Sequence, residues 1–208
     1  MEMIRLEENG LTTNDLVFAK VRPDAIIPTK EDENAGYDIY ACFDEDYMII
    51  PSHSTVLVPT GIASAISDKY YLNVAERGST GKIGMKYSAG IIDSGYRGQI
   101  FVALSNINTK DIIISKLTRE ELIDRYGKKD DKYDDVILIY GDGDFDYVYL
   151  KDGSKNKGNE TIIYPYEKAI AQLIVHEVPK MNVKEVTYDE LLKIPSKRGT
   201  GALGSSGK

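Results

Sequence analysis

Short hydrophobic runs recur along the chain, separated by glycine, proline, asparagine and aspartate. Runs rich in valine, isoleucine, tyrosine and phenylalanine between such residues predict β-strands. Their spacing of roughly 8 to 12 residues, with few helical patterns between them, favours an antiparallel sandwich, barrel or jelly roll over alternating strands and helices. We therefore expect a mainly antiparallel, all-β fold. The predicted strands are LVFAKV, YDIYACF, YMIIP, STVLVP, GIASAI, YYLNVA, QIFVALS and AIAQLIVHEV.

Helical patterns are limited to two short segments. Thr118 and Glu121 have the spacing of a capping box, which predicts a helix over 118–126 that ends before Gly127. A second short helical turn is predicted over 188–193. Helix is therefore expected to be a minor component.

The segment 107–160 differs in composition from the segments on either side of it. Its charged and turn-rich stretches, DDKYDD, GDGDFDY and KDGSKNKGNE, surround the strand-like runs VILIY and YVYL. The β pattern resumes on both sides, which predicts a small α/β subdomain inserted into one fold rather than two domains in tandem. The expected organisation is a discontinuous core of 1–106 and 161–197, an insert of 107–160 and a C-terminal segment of 198–208.

Composition and charge exclude several classes of function. The 208 residues are 42% hydrophobic and 28% charged, as in folded globular proteins. The net charge of −7, with no evident basic face, argues against binding to duplex nucleic acid. The uncharged stretch 51–67 contains six Ser or Thr residues and two prolines, so no membrane span is expected. A single cysteine, Cys42, and an N-terminus without an apolar leader predict a cytoplasmic location.

Glycine is concentrated in two segments that also carry arginine and serine. Six of the 18 glycines lie between Gly78 and Gly98, and four lie in 198–208. Such backbone is typical of phosphate-binding loops, although tight hairpins and a frayed terminus would give the same pattern.

Candidate catalytic groups are few. The histidines His53 and His176 lie far apart in the sequence, and together with one cysteine they give neither an activated nucleophile nor a zinc-ligand pattern. In GIIDSGYRG, Asp93 follows two isoleucines and precedes a turn. Its carboxylate could orient a water molecule or simply cap a hairpin turn.

Five segments resemble, in order, the motifs of the trimeric dUTPases. The resemblance extends over about residues 16–208 apart from the insert, and an insert at this position is similar to that of phage-type members. It implies a jelly-roll-like protomer in a homotrimer, with active sites built from more than one subunit. It also implies hydrolysis of dUTP to dUMP and pyrophosphate with Mg²⁺ as the cofactor. The segments are AGYDIYA (35–41), ERGSTG (76–81), AGIIDSGYRG (89–98), AIAQLI (169–174) and RGTGALGSSG (198–207).

The resemblance implies a role for individual residues. Asp93 matches the general base that aligns water for attack on the α-phosphorus, and Tyr96 matches the ring that packs on deoxyribose and excludes a 2′-hydroxyl. Asp38 matches the carboxylate that holds Mg²⁺ through water. The main chain of Gly90, Ile91 and Ile92 matches the segment that binds the uracil edge. The implied phosphate contacts are Arg77, Gly78, Ser79 and Gln172.

The C-terminal segment resembles the family's lid, which closes over the bound nucleotide. Leu203 stands where the family usually has a phenylalanine that stacks on uracil, so we expect weaker closure. Tyr87 stands where many members have an asparagine near the base. The implied lid contacts are Arg198, Leu203, Gly204, Ser205 and Ser206.

Two alternatives remain open. The dCTP deaminases resemble dUTPases in fold and motif order, but they would need a glutamate shortly after the third motif, where this chain reads QIFVAL (99–104). The second alternative adds a regulatory role, because some phage-encoded members carry inserts here and bind regulatory proteins. The segment 107–160 is then either a surface for a protein partner or a subdomain that only covers the trimer.

Overall fold

A computed structural model describes residues 10, 12, 14–118, 120, 121, 139–141, 146–150 and 159–201 of the chain. The chain divides into two compact units, Met1–Val178 and Pro179–Lys208. Within the described residues, no helix is both long and apolar enough to cross a membrane.

The first unit is built from β-strands. Each of the eight runs predicted as strands contains one, which confirms the all-β prediction. The strands in the described part of the chain are β1 (Val17–Lys20), β2 (Gly36–Ile39), β3 (Tyr47–Ile50), β4 (Thr55–Pro59), β5 (Ile62–Ala65), β6 (Tyr70–Ala75), β7 (Met85–Tyr87), β8 (Ile91–Ile92), β9 (Phe101–Asn106), β10 (Asp111–Ser115), β11 (Ile139–Gly141), β12 (Asp146–Leu150), β13 (Asn159–Pro165) and β14 (Ala171–Glu177).

The strands form sheets in the orders β1-β5, β11-β12-β13-β10-β3, β2-β14-β6-β8 and β4-β9-β7. Among the described pairings, β10 with β13 is parallel and the others are antiparallel. Successive side chains of a strand point to opposite faces, so alternate residues of these sheets enter the core. In β6, Leu72 and Val74 are buried while Tyr71 and Asn73 lie on the outer face.

Two short helices are described in full. The helix α1 (Gly78–Lys82) follows β6 and was not predicted, whereas α2 (Tyr188–Leu192) confirms the helical turn expected over 188–193. The predicted capping box at Thr118 is also present, because the Glu121 carboxylate accepts hydrogen bonds from the main-chain N–H (2.8 Å) and hydroxyl (3.0 Å) of Thr118. Residues 122–126 of that predicted helix lie outside the described residues.

The strand β10 lies inside the segment 107–160 that was predicted as an insert, and the bounds of that insert stay a prediction. It pairs with β3 on one side and with β13 on the other, and Ile112 and Ile114 are fully buried in the core. A nearly continuous apolar run such as DIII is typical of a strand covered on both faces. The described strands β11 and β12 extend the same sheet beyond β13.

Candidate active site

The sheet β2-β14-β6-β8 contains residues from three of the five dUTPase-like segments, and the second segment follows directly after β6. Gln172 on β14 lies opposite Asp38 on β2 and also opposite Ala75 on β6. Arg77 follows two residues after Ala75, at the start of α1. The first, second and fourth segments therefore meet at one end of this sheet, and the third segment contributes β8 at its side.

Asp38 and Arg77, predicted to hold a metal and a phosphate, bind each other. Arg77 Nε lies 3.0 Å from Asp38 Oδ1, and Arg77 Nη2 donates to Asp38 Oδ2 at 3.0 Å. Arg77 Nη1 also donates to the Ala169 carbonyl at 3.3 Å. A guanidinium has five N–H donors, so these contacts leave two for a ligand. Both side chains keep about a third of their surface accessible, 30% for Arg77 and 32% for Asp38.

A buried tyrosine fixes the position of this ion pair. The Tyr164 hydroxyl donates to the same Ala169 carbonyl at 2.6 Å, and its side chain is fully buried. Burial raises the pKa of Tyr164, and the nearby positive charge of Arg77 opposes that rise. Tyr164 therefore stays a neutral donor at physiological pH. Sequence reasoning missed this role, because Tyr164 belongs to none of the five segments.

The loop after β6 presents Gly78 and Ser79 at the protein surface. The turn is closed locally, because the main-chain N–H of Arg77 donates to Thr80 Oγ1 at 3.1 Å and the Thr80 hydroxyl donates back to the Arg77 carbonyl at 2.9 Å. Gly78 and Ser79 are exposed, while Thr80 is buried beneath them. The main-chain N–H groups of a helix's first turn have no partners within the helix, so they suit an anionic ligand.

Gln172 supports the backbone beside this loop. Its Nε2 donates to the Glu76 carbonyl at 2.7 Å, and the Glu76 carboxylate is bound by Lys86 Nζ at 2.7 Å. Glu76 and Lys86 were missed by sequence reasoning, since only the pairing of distant strands brings them together. Lys86 offsets the negative charge of Glu76 next to the predicted phosphate loop.

The predicted base-binding hairpin is attached to β6 through β8. Ile91 lies opposite Asn73 and Ile92 opposite Leu72, and the Val74 N–H donates to the Gly90 carbonyl at 2.7 Å. Because β8 is the last strand of its sheet, main-chain groups not bonded to β6 face outward. Ile91 is 71% exposed, which is high for an isoleucine outside an interface.

Asp93 lies directly after β8 on the exposed surface. Its carbonyl accepts a hydrogen bond from the Tyr96 N–H at 3.0 Å, which closes the turn. Among the described contacts, its carboxylate has no protein partner. The side chain is therefore accessible to water.

Tyr96 packs against a glycine in the same turn. Its hydroxyl donates to the Gln99 carbonyl at 2.8 Å. A Cβ added at Gly98 would lie 2.5 Å from that hydroxyl and 2.7 Å from the ring carbon Cζ. Glycine is therefore needed at 98 for the ring of Tyr96 to lie where it does.

Asp93 and the Asp38–Arg77 pair lie apart within one chain. Asp93 follows Ile92, whose partner is Leu72, and Arg77 is five residues further along extended backbone. At about 3.3 Å per residue, roughly 16 Å separates Leu72 from Arg77. The structure thus does not bring all predicted site residues together in a single protomer.

No group of three or more His, Cys, Asp or Glu side chains suited to a metal ion occurs among the described residues. The predicted metal contact here is the Asp38 carboxylate, whose recorded side-chain partner is Arg77. Mg²⁺ commonly keeps several waters and binds one or two carboxylates together with substrate phosphates, so this donor set fits Mg²⁺ only with a triphosphate present.

The second unit contains the predicted lid residue Arg198. Its Nε donates to the Gly201 carbonyl at 2.9 Å, and its main-chain N–H donates to Ser196 Oγ at 3.2 Å. The other predicted lid contacts, Leu203, Gly204, Ser205 and Ser206, lie outside the described residues.

Comparisons with known proteins show which family the chain resembles. Residues 23–119 match the family model described as dUTPase. The deoxyuridine 5'-triphosphate nucleotidohydrolase of Leptospira interrogans is 35% identical over 99 residues, covering 46% of this chain and 68% of the relative. That of Candida albicans is 28% identical over 188 residues, covering 89% of this chain and 84% of the relative.

A solved structure shows the same fold. It is the dUTPase of Staphylococcus bacteriophage 80alpha with dUPNHPP. The match has a TM-score of 0.62 at 21% sequence identity and covers 94% of this chain and 99% of that chain.

Proposed function

Since this chain belongs to the dUTPase family, we propose that it hydrolyses dUTP to dUMP and pyrophosphate, with Asp93 as the general base. The observation that carries this proposal is the meeting of Asp38, Arg77 and Gln172 at one end of a single sheet. This end offers cationic and main-chain donors for phosphate oxygens. The hairpin on the same sheet offers an exposed carboxylate for water.

The proposed chemical step uses one water molecule. The Asp93 carboxylate accepts a proton from water as the water oxygen bonds to the α-phosphorus. The bond from the α-phosphorus to the oxygen that bridges to the β-phosphorus breaks, and pyrophosphate leaves with that oxygen. Tyr96 is proposed to pack on the deoxyribose, and the main chain of Gly90, Ile91 and Ile92 to bind the uracil edge.

Phosphate binding is assigned to the opposite end of the sheet. The N–H groups of Arg77 that are not bound to Asp38 or Ala169, together with Gly78 and Ser79, are proposed to contact phosphate oxygens. Gln172 is proposed to contact phosphate as well, and its bond to the Glu76 carbonyl would hold the loop in place. Arg198 and the residues Leu203, Gly204, Ser205 and Ser206 are proposed to form a lid over the nucleotide.

A substrate panel tests this function. We expect release of pyrophosphate from dUTP, and little from dCTP, dTTP or UTP, when each nucleotide is incubated with the chain and Mg²⁺. Ammonia release from dCTP is measured in parallel, because it would identify a deaminase of the same fold. Ammonia production without pyrophosphate release from dUTP would overturn the proposal.

The separation of Asp93 from Arg77 within one chain supports an active site shared between subunits. A base that acts on the α-phosphorus must lie within hydrogen-bond reach of the attacking water. The backbone that carries Asp93 and the backbone that carries Arg77 are roughly 16 Å apart along β6, which favours a site in which these two groups come from different copies of the chain. We propose a homotrimer, as in the trimeric dUTPases.

An apolar surface supports the same assembly. On the outer face of β4 and β9, Leu57 lies opposite Ala103 and Pro59 opposite Phe101. Leu57 is 63% exposed and Phe101 is 46% exposed, so both apolar side chains remain open to solvent in the isolated chain. Contiguous exposed apolar residues are typical of subunit interfaces.

Mg²⁺ is proposed to bind the triphosphate with Asp38 as a contact through water. When bound, the ion would offset negative charge on the phosphates. Asp38 remains accessible beside Arg77, and each carboxylate oxygen can accept more than one hydrogen bond.

We expect Asp38→Asn to raise the half-saturating Mg²⁺ concentration by about 10- to 100-fold, as for other residues that hold a metal from the outer shell. The measurement is dUTP turnover against Mg²⁺ concentration. Asp24→Asn is the matched control, because Asp24 also pairs with an arginine, Arg22, outside the proposed site. Equal Mg²⁺ dependence in the two variants would contradict the metal role of Asp38.

A second, regulatory role is proposed for the segment between β10 and β13. Its described strands β11 and β12 extend a different sheet from the one that carries Asp38 and Arg77. Within the described pairings β11 is an edge strand, which leaves main-chain groups available to a partner's strand.

We expect the chain to keep its dUTP turnover within about twofold when 119–157 is replaced by about a dozen Gly and Ser residues, the length that a parallel crossover needs. Steady-state kinetics and pull-downs from host lysate compare this variant with the full chain. A large loss of turnover with unchanged thermal unfolding would place the segment in the active site. If the full chain captures no protein that the variant loses, the regulatory role fails.

A further inference from the structure

A carboxylate lies inside the segment that is proposed to bind phosphate. Glu76 directly precedes Arg77 in ERGSTG. A Cβ built on Gly81 would lie 3.7 Å from Glu76 Oε2, so the carboxylate lies beside α1. At about 1.5 Å per residue, Gly81 is only about one helical turn from Gly78, a proposed phosphate contact. Because like charges repel, an unbalanced carboxylate here would oppose the binding of a phosphate chain.

The backbone holds Glu76 at this position, and the neighbouring arginine does not balance its charge. Gln172 Nε2 donates to the Glu76 carbonyl at 2.7 Å, which ties this residue to β14. Arg77 binds Asp38 through Nε and Nη2, each at 3.0 Å. The charge of Arg77 is therefore already balanced by Asp38, and the charge of Glu76 needs another partner.

Lys86 supplies the opposite charge. Its Nζ lies 2.7 Å from Glu76 Oε2. Lys86 is the middle residue of β7 and lies opposite Ser105 on β9, so strand pairing fixes its backbone near the loop. The side chains of Lys86 and Glu76 are 37% and 34% exposed. An ion pair this exposed contributes little to the stability of the fold, so its main effect is on the charge beside the loop.

We propose that Lys86 is a positioning residue of the phosphate-binding loop, which acts by holding and neutralising the Glu76 carboxylate. This inference rests on the proposed function of Arg77, Gly78 and Ser79 as phosphate contacts. Lys86 acts through Glu76 and does not itself bind the nucleotide. Removing the lysine leaves an extra negative charge beside the phosphate chain, whereas removing the carboxylate leaves an extra positive charge. The two changes therefore have opposite effects on the binding of a triphosphate.

A double-mutant cycle tests this proposal, with the Kd for dUPNHPP as the measurement. At an ionic strength of about 0.1 M we expect Lys86→Met to raise the Kd by about 3- to 10-fold, because one charge then lies unbalanced within a Debye length of a polyanion. Glu76→Gln should lower the Kd, and the double variant should return it to within about twofold of the unaltered chain. These differences should shrink at about 1 M, where the Debye length is about 3 Å.

Two controls show that the effect is local and concerns phosphate. Lys69→Met removes an exposed lysine that precedes β6, at the opposite end of this strand from Glu76. It changes the net charge of the chain by the same amount, and its Kd for dUPNHPP should stay within about twofold, since about 20 Å of extended strand exceeds the Debye length. Deoxyuridine carries no phosphate, so its Ki against dUTP turnover should be the same for Lys86→Met and the unaltered chain.

The outcomes separate this inference from the proposed function. If Lys86→Met and Glu76→Gln both weaken binding, the pair only holds the loop in shape and the inference is overturned. If the double variant binds as weakly as Lys86→Met, Lys86 contacts the nucleotide directly, which also overturns it. Unchanged binding by Lys86→Met, with dUTP turnover by the unaltered chain, overturns the inference alone. If the unaltered chain neither binds dUPNHPP nor hydrolyses dUTP, the function and the inference fall together.

Discussion

Replacing Asp93 by asparagine is expected to lower kcat for dUTP by about 10²- to 10⁴-fold, the usual contribution of a positioned general base. The amide has nearly the same shape as the carboxylate but cannot accept a proton from water at neutral pH. Because the side chain is exposed and has no protein partner among the described contacts, the fold should be unaffected. Pyrophosphate release under saturating dUTP is the measurement.

A binding measurement shows whether Asp93→Asn has lost only the catalytic step or has also lost its nucleotide-binding site. The Asp93→Asn variant should bind dUPNHPP with a Kd close to that of the unaltered chain. Glu45→Gln is a control for removing an exposed carboxylate elsewhere, and its kcat should not change. Substantial turnover by Asp93→Asn would remove Asp93 from its proposed role.

Two inactive variants are expected to restore activity when their subunits are mixed. If Asp93 of one subunit works with Arg77 of another, Asp93→Asn and Arg77→Met subunits assembled in equal amounts form some sites in which both groups are intact. Random assembly gives about a quarter of the sites in this state, so about a quarter of the original activity should return. Co-expression or joint refolding, followed by a dUTP assay, measures the recovery.

The matched control mixes Asp38→Asn with Arg77→Met. These residues bind each other within one chain, so every site keeps one of the two defects, and the mixture should not exceed the average activity of the two variants assayed separately. Recovery in this control would contradict the proposed division of the site. Failure of the Asp93 and Arg77 mixture to recover activity, with mixed oligomers demonstrated by mass, would contradict a shared site.

Most of the fold could be predicted because its strands carry their own local signals. In β6 and β14, apolar residues alternate with polar ones or lie close together, with turn residues on either side. These local patterns are enough to assign a strand. The strand β10 was not predicted, because its DIIIS run lies between charged residues in the segment interpreted as an insert. Its membership in the core depends on pairing with β3, about sixty residues earlier in the chain, and no local pattern records that pairing.

The residues of the candidate site could be predicted from the sequence, but the contacts between them could not. Asp93 and Arg77 stand out because each lies in a short segment of distinctive composition. The contact between Arg77 and Asp38 joins residues 39 positions apart, and that between Gln172 and Glu76 joins residues 96 apart. These contacts depend on strand register, that is, on which residues of neighbouring strands lie opposite each other. The pattern of apolar residues does not specify that register for strands far apart in the chain.

The parallel pairing of β10 and β13 has a consequence for synthesis on the ribosome. Ile112 lies opposite Ile162, so β10 emerges about fifty residues before its partner. At about 5 to 20 residues per second, that delay lasts roughly 3 to 10 s. During this interval one side of an isoleucine-rich strand is open to other nascent chains, so chaperones that cover exposed strand edges would act on it.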